Sequence, residues 1–230
     1  MKVGAIIAAA GAGRRMKTDR PKQLLLLNGL PILVHTIRKF DSSAAIDYVI
    51  VTAPRESVDE VRALVAGAGF KKAIEVVEGG ERRQDSVAIG LQHLQPATTL
   101  VAVHDAVRPF VTDAEIESVI RAAERTGAAI LAVPIVDTVK QAERDFVEST
   151  LTREYLVLAQ TPQVFRTEIL KEAFECARKD EYYGTDESSL VERLGHDVAI
   201  VRGSERNIKI TRPSDLTLAR VFLEEEKTAP

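Results

Sequence analysis

Five short segments carry side chains whose types and spacing fit phosphate chemistry. The first is Ala8-Ala9-Ala10-Gly11-Ala12-Gly13-Arg14-Arg15-Met16, followed closely by Lys22. Small residues let backbone N–H groups approach an anion, and the two arginines and the lysine add positive charge. Such a loop suits a polyphosphate, but also a plain glycine-rich turn with solvated cations. Two familiar glycine motifs do not fit. A Walker loop needs a Gly-Lys-Ser/Thr ending that the segment lacks. A dinucleotide fingerprint needs glycine where Met16 stands, and an acid roughly 20 residues on near the end of the second strand, which reads Val51-Thr52-Ala53.

The second segment, Gly79-Gly80-Glu81-Arg82-Arg83-Gln84-Asp85-Ser86-Val87, opens a helical pattern whose first N–H groups are free for a ligand, or for capping by Asp85 or Ser86. The third is His104-Asp105-Ala106-Val107-Arg108-Pro109. An aspartate at a strand end can face a substrate hydroxyl or Mg²⁺, which takes one or two carboxylates together with phosphates and water. Asp105 and Arg108 can equally pair with each other in a turn, and His104 can be a hydrogen-bonded structural residue. The fourth segment is Arg153 with Gln160-Thr161-Pro162-Gln163. The fifth is Asn207-Ile208-Lys209-Ile210-Thr211, where the flanking isoleucines suggest a strand with Lys209 turned from the core. Each of these cations also fits an ordinary surface position. Cys176 falls within a helical pattern and reads as packing, as do Tyr182 and Tyr183 at the core's edge.

The elements that must position these residues follow from the apolar pattern. Strand-length runs occur at Val3–Ala9, Tyr48–Thr52, Ile74–Val77, Leu100–Val103, Ala128–Val133 and Val198–Val201, several without polar alternation, as in strands buried on both faces. Amphipathic segments intervene at Pro31–Phe40, Glu56–Ala66, Asp85–Leu94 and Thr112–Thr126, and later at Thr167–Lys179, Asp186–Leu194 and Pro213–Leu223. Thr112 and Glu115 form a capping box, and Gly127 ends that helix. The alternation predicts an α/β fold: a mostly parallel, twisted sheet with helices on both faces. Residues 137–152 break the rhythm with a polar β-hairpin too poor in apolar surface to stand alone, so it must lie on its own body or on a second subunit.

Composition narrows the function. The chain has 230 residues, 31 basic and 34 acidic, with a formal net charge of −3, one cysteine and no tryptophan. A disulfide framework, a multi-cysteine zinc site and a polybasic coat for nucleic acid or membrane are excluded. No apolar run approaches the roughly 20 residues of a membrane span, and the N-terminus lacks a signal-peptide layout, so a cytoplasmic protein is expected.

Taken in order, Ala-Ala-Gly-x-Gly-x-Arg-Met, Pro-Lys-Gln, Gly-Gly-x-x-Arg-x-x-Ser-Val, His-Asp-Ala-x-Arg-Pro, Asp-Thr-Val-Lys, Gln-Thr-Pro-Gln, Thr-Asp-Glu and Asn-Ile-Lys-Ile-Thr resemble the 2-C-methyl-D-erythritol 4-phosphate cytidylyltransferases of the non-mevalonate (MEP) isoprene-biosynthesis pathway. The resemblance covers residues 3 to 222. It departs at Ala8, where proline is common, and at Val107, where alanine is usual. Glu81 stands where some members have aspartate. None of these removes a cation.

The resemblance implies a Rossmann-like nucleotidyltransferase fold, with residues 1–230 as a single cytidylyltransferase domain and a protruding dimerisation arm at about 137–153. It implies transfer of a cytidylyl group from CTP to methylerythritol phosphate, with release of pyrophosphate. Arg15 and Lys22 would stabilise the transition state. Arg153 and Lys209, assisted by Thr138, would position the acceptor phosphate. Ala9, Ala10, Gly11, Gly80, Glu81, Ser86, Asp105 and Ala106 would hold the nucleotide. Mg²⁺ would travel with the triphosphate, with no protein ligand assigned. The arm would make a homodimer in which Arg153 and Thr138 complete the neighbour's site. Ribitol-5-phosphate cytidylyltransferase is the nearest alternative. A sugar nucleotidyltransferase using another nucleotide, and a catalytically inert nucleotide-binding protein, are more distant ones.

Overall fold

The apolar runs beginning at Val3, Tyr48, Leu100 and Ala128 form strands buried on both faces, whereas the run ending at Val201 forms an edge strand with Ile200 exposed. The computed structural model describes residues 1–11 and 20–228. In chain order the elements are β1 (Val3–Ala8), β2 (Leu26–Leu27), β3 (Leu30–Pro31), α1 (Ile32–Ser42), β4 (Tyr48–Ala53), α2 (Val58–Gly67), β5 (Ile74–Glu78), α3 (Arg83–Gln92), β6 (Leu100–Asp105), α4 (Asp113–Thr126), β7 (Ala128–Pro134), β8 (Lys140–Glu143), β9 (Phe146–Thr150), β10 (Val157–Arg166), α5 (Thr167–Lys179), α6 (Glu187–Arg193), β11 (Ala199–Arg202) and α7 (Pro213–Thr228).

Seven strands form one sheet in the order β11-β7-β10-β6-β1-β4-β5. All neighbouring pairs are parallel except those of β10, which runs antiparallel to both β6 and β7. Side-chain alternation sorts the core into two layers. Ala5, Ile7, Val49 and Val51 face the apolar stripes of α1, α2 and α4, including Leu33, Ile37, Val61, Ile116 and Val119. Ile6, Ile50, Val101 and Val103 face α3, α5 and α6 through Val87, Leu91, Leu170, Phe174 and Leu190. A third, smaller core packs α7 against the loop after β6 and the β2–β3 hairpin, through Ala219, Ile210, Val107, Phe110 and Leu27.

Strand order reverses at β1, which has β4 on one side and β6 on the other. A crevice opens at such a switch point beyond the carboxyl ends of the strands, where open α/β sheets bind ligands. Around it the helix boundaries are well marked. In α4, Thr112 Oγ1 accepts the Glu115 N–H at 3.2 Å, the Glu115 carboxylate accepts the Thr112 N–H at 2.8 Å, and Gly127 closes the helix at φ 92°.

One sequence expectation is corrected here, and one strand joins those the apolar runs mark. Lys209 does not lie in a strand, because the last strand ends at Arg202 and the chain reaches Lys209 as a loop. Gln160–Gln163 lies inside β10, whose register shifts between Ala159 and Gln163. The hairpin β8–β9 is present, and every residue in both of its strands is exposed, so it does not lie on its own body. Among the described residues, no helix is long and apolar enough to cross a membrane.

Candidate active site

Three backbone turns build the crevice. The Ala9 N–H donates to the Thr52 carbonyl at 2.9 Å, and the Ala106 N–H donates to the Ala8 carbonyl at 3.2 Å. The Gly79 N–H reaches the Ala53 carbonyl at 2.8 Å. Gly79 has no room for a side chain, since a Cβ there would stand 2.5 Å from that of Ala10 and 2.9 Å from Ser86 Oγ. That close approach brings the Gly79–Gly80 turn against Ala9–Gly11. Ser86, buried at the start of α3, fastens the turn by accepting the Gly80 N–H at 3.2 Å and donating to the Arg82 carbonyl at 3.0 Å. The cleft they enclose is about 80 Å³ and is lined by Lys22, Arg83, Asp105 and Lys209 as well as by these small residues.

Opposite charges are concentrated on its floor. Asp105 ends β6 and is 5% exposed. Its Oδ1 accepts from Arg83 Nε at 3.0 Å, and its Oδ2 faces Lys209 Nζ at 2.9 Å and Arg108 Nε at 3.4 Å. Arg83 also places Nη1 on both carboxylate oxygens of Glu187, at 2.7 and 2.8 Å. Burial alone pushes the Asp105 carboxyl up, but Arg83, Lys209 and Arg108 together hold it well below its ordinary value. For Glu187 burial wins, and its carboxyl is pushed up despite Arg83. Burial lowers the Arg108 guanidinium, which is nevertheless held by Asp105 and by the Asn207 carbonyl at 2.6 Å.

A buried imidazole braces this floor. His104 Nε2 lies 3.0 Å from the Arg108 carbonyl and Nδ1 lies 2.9 Å from Thr161 Oγ1. A carbonyl can only accept, so Nε2 carries the proton and Nδ1 accepts from the Thr161 hydroxyl. That hydroxyl oxygen in turn accepts the Asp105 N–H at 3.0 Å. Burial pushes the His104 pKa down from 6.5 to about 4. Between those values the unfolded chain binds a proton that the native state refuses. Stability therefore falls as pH falls, by about 3 kcal/mol across the window. Urea midpoints between pH 7 and pH 4, compared with those of His104→Gln, check this: the variant has the shallower slope. His35, also pushed down by burial, and Glu187 remain in both proteins, so the difference isolates His104. Equal slopes would show that His104 does not set the acid sensitivity.

The arrangement is a cationic, backbone-lined cleft at a strand-order switch, and the comparisons with known proteins agree with it. The family model for 2-C-methyl-D-erythritol 4-phosphate cytidylyltransferase, IspD, matches residues 3–225. The chain belongs to the IspD family. It is 50% identical to the 2-C-methyl-D-erythritol 4-phosphate cytidylyltransferase of Solibacter usitatus, over 98% of this chain and 97% of that one. Among solved structures it resembles 4-diphosphocytidyl-2C-methyl-D-erythritol synthase from Anaerococcus prevotii, with TM-score 0.86 and 31% identity over 97% of this chain and 96% of that one. It also resembles the cytidylyltransferase from Thermus thermophilus, with TM-score 0.79 and 35% identity over 97% of this chain and 100% of that one.

Within this IspD fold, the residues singled out in the sequence fall into four groups. Ala9, Ala10, Gly11, Lys22, Ser86, Asp105, Ala106 and Lys209 line the cleft. Gly80 and Glu81 lie in the adjoining turn, Glu81 exposed. Thr138 and Arg153 are exposed at the base of the arm and do not line the cleft; Arg153 Nη1 donates to the Val136 carbonyl at 2.6 Å. Arg15 and Gly13 lie outside the described residues. Sequence reasoning assigned no role to Arg83 or Glu187, whereas the turn pairing it offered for Asp105 and Arg108 is present at 3.4 Å. The arginine of Gly-Gly-x-x-Arg and the acid of Thr-Asp-Glu were the available signals, but their meeting spans 104 positions.

Proposed function

We infer that this IspD-family chain transfers the cytidylyl group of CTP to 2-C-methyl-D-erythritol 4-phosphate, giving 4-diphosphocytidyl-2-C-methyl-D-erythritol and pyrophosphate. The observation that carries the assignment is the family match over residues 3–225 on a cleft lined by Lys22, whose floor gathers Arg83, Arg108 and Lys209 around Asp105. An oxygen of the acceptor's 4-phosphate attacks the α-phosphorus of CTP. The new P–O bond forms as the bond to the β-phosphate bridging oxygen breaks. The nucleophile is already an anion, so no general base is required, and His104, buried and neutral, is not one. The protein's work is alignment and stabilisation of developing negative charge.

Ala9, Ala10, Gly11, Gly80, Glu81 and Ser86, with Asp105 and Ala106, hold the nucleotide in this reading. Their support is that they line or adjoin one cleft, where the Gly79–Gly80 turn packs closely against Ala9–Gly11. Lys22 and Arg15 stabilise the α-phosphate and the leaving pyrophosphate. Lys209 and Arg153, with Thr138, position the acceptor phosphate.

The residues fit a triphosphate-borne Mg²⁺. Asp105 is the single acidic residue lining the cleft among the described residues, and it is held ionised, which matches an ion that takes few protein carboxylates. When bound, the ion would neutralise phosphate charge and make the α-phosphorus easier to attack. Asp105 is the side chain that would approach it.

We propose further that residues 1–230 act as one domain and that the arm at 137–153 joins two copies into a homodimer. Support comes from the exposed apolar side chains of Phe146 and Val147 on the arm and of Val136 and Tyr155 beside its base, all left uncovered by its own body. Thr138 and Arg153 then complete the partner's cleft.

The test is pyrophosphate release with CTP and Mg²⁺, comparing methylerythritol 4-phosphate with ribitol 5-phosphate. Turnover with the first acceptor alone is expected, and turnover with ribitol 5-phosphate alone overturns the assignment. In Arg153→Ala the KM for the acceptor should rise roughly 10–100-fold, the loss of one charge-assisted contact. An unchanged acceptor KM in that variant removes Arg153 from the site.

A further inference from the structure

Glu187 is a buried carboxylate that the reaction just described does not use. It opens α6 immediately after the N-cap Asp186, whose side chain accepts the Ser189 N–H at 3.1 Å. The start of α6 is also tied to β10. Gln163, 1% exposed, donates through Nε2 to Asp186 at 2.7 Å and accepts the Ser188 N–H at 3.1 Å. The Glu187 side chain is therefore carried by a fixed backbone and is itself 2% exposed. Both of its oxygens go to one nitrogen of Arg83.

An ordinary helix-start acid faces water and interacts with the helix dipole. Glu187 instead lies beneath the cleft, where an ionised group is tolerated only when paired. Its charge also balances the floor. Arg83, Arg108 and Lys209 surround Asp105, and one carboxylate cannot neutralise three cations. Glu187 provides the second negative charge and takes up one edge of the Arg83 guanidinium. The opposite edge, at Nε, then meets Asp105 Oδ1. Because a guanidinium is planar and rigid, fixing Nη1 also fixes Nε. With Oδ1 held in this way, Oδ2 is turned toward Lys209 Nζ.

We propose that Glu187 is a positioning residue that acts through Arg83 and Asp105 to place the Lys209 ammonium for the acceptor phosphate. This rests on the cytidylyltransferase reading of the cleft and on the acceptor-side role of Lys209. Glu187 touches neither substrate. Neutralising it frees Arg83 to swing onto Asp105, and Lys209 loses its aligned partner.

A double-mutant cycle tests the coupling, because residues that act through one another are non-additive. Glu187→Gln keeps the shape and removes the charge. In the otherwise wild-type enzyme it should lower kcat/KM for methylerythritol 4-phosphate roughly tenfold. In a Lys209→Ala background the same change should cost less than about threefold, because the group it positions is gone. A merely structural role lowers activity by the same factor in both backgrounds, and that result overturns the proposal. Should Glu187→Gln fail to fold, Glu187→Asp keeps the charge but withdraws it by one carbon, and the same comparison of backgrounds decides. A wild-type enzyme inactive on methylerythritol 4-phosphate overturns the functional reading itself, and the proposal with it. An active wild type with additive losses overturns the proposal alone.

Discussion

Replacing Lys22 by alanine is expected to lower kcat by roughly 10²–10³-fold, the scale set by removing one preorganised charge stabiliser. Lys22 opens a single 3-10 turn at Lys22–Leu24. Other groups hold that turn. The Leu24 N–H donates to the Pro21 carbonyl at 2.9 Å, Gln23 is 1% exposed with its amide on the Ala9 carbonyl, and Leu24 is fully buried. The lysine side chain is thus presented to the cleft by a backbone that does not depend on it. Charge builds on the α-phosphate oxygens and the leaving pyrophosphate only as the P–O bonds exchange, so a cation there acts more on the transition state than on bound CTP. The expected signature is a fall in kcat that exceeds any rise in the KM for CTP, read from single-turnover pyrophosphate release beside equilibrium CTP binding. A raised KM with kcat within a few fold of wild type would make Lys22 a ground-state anchor instead.

Local chemistry was legible in the sequence where local physics decides the structure. The α4 caps, Thr112 with Glu115 and Gly127, are formed by neighbours in the chain, and the structure has them where the pattern puts them. The buried strands carried their own signal in unbroken apolar runs. β10 did not, because Gln160, Thr161, Pro162 and Gln163 are polar or lack an N–H, which argues against a central strand. The structure accommodates them by breaking the β7 register between Ala159 and Gln163. It gives each polar side chain a distant partner: Gln160 bonds the Ser204 carbonyl, Thr161 bonds His104, and Gln163 bonds Asp186. Lys209 illustrates the same limit. Its flanking isoleucines suggested a strand, yet Ile210 is buried in the small third core and its N–H donates to the Val107 carbonyl at 2.9 Å. That long-range anchor brings Lys209 over Asp105. The cleft's small residues and Lys22 could be found from spacing. The Glu187–Arg83–Asp105–Lys209 chain could not, because it exists only once α3, β6, α6 and the loop before α7 are assembled.

Asp105→Asn should be the most destabilising single change at the site, by roughly 3–5 kcal/mol, because it removes the buried countercharge that Arg83, Arg108 and Lys209 share. Arg83 would keep Glu187, and Arg108 would keep the Asn207 carbonyl, but Lys209 would lose its carboxylate and the amide would turn its own N–H donors toward cations. For a chain of 230 residues that corresponds to a fall in Tm of about 6–20 °C. The pH dependence separates this from general damage. The Asp105 pKa is depressed, so its contribution is fully present above the ordinary value of 3.8 and is lost only as pH falls through the lower native value. The gap in stability between wild type and variant should therefore stay constant from pH 7 to pH 4 and close only below that range. The His104 contribution, lost between 6.5 and about 4, lowers both proteins together. A gap that already narrows between pH 7 and pH 5 would mean that Asp105 is not held ionised by its three cations, and the electrostatic account of the cleft floor would fall with it. A constant gap would show that the carboxylate that stabilises the crevice is ionised where it faces Lys209.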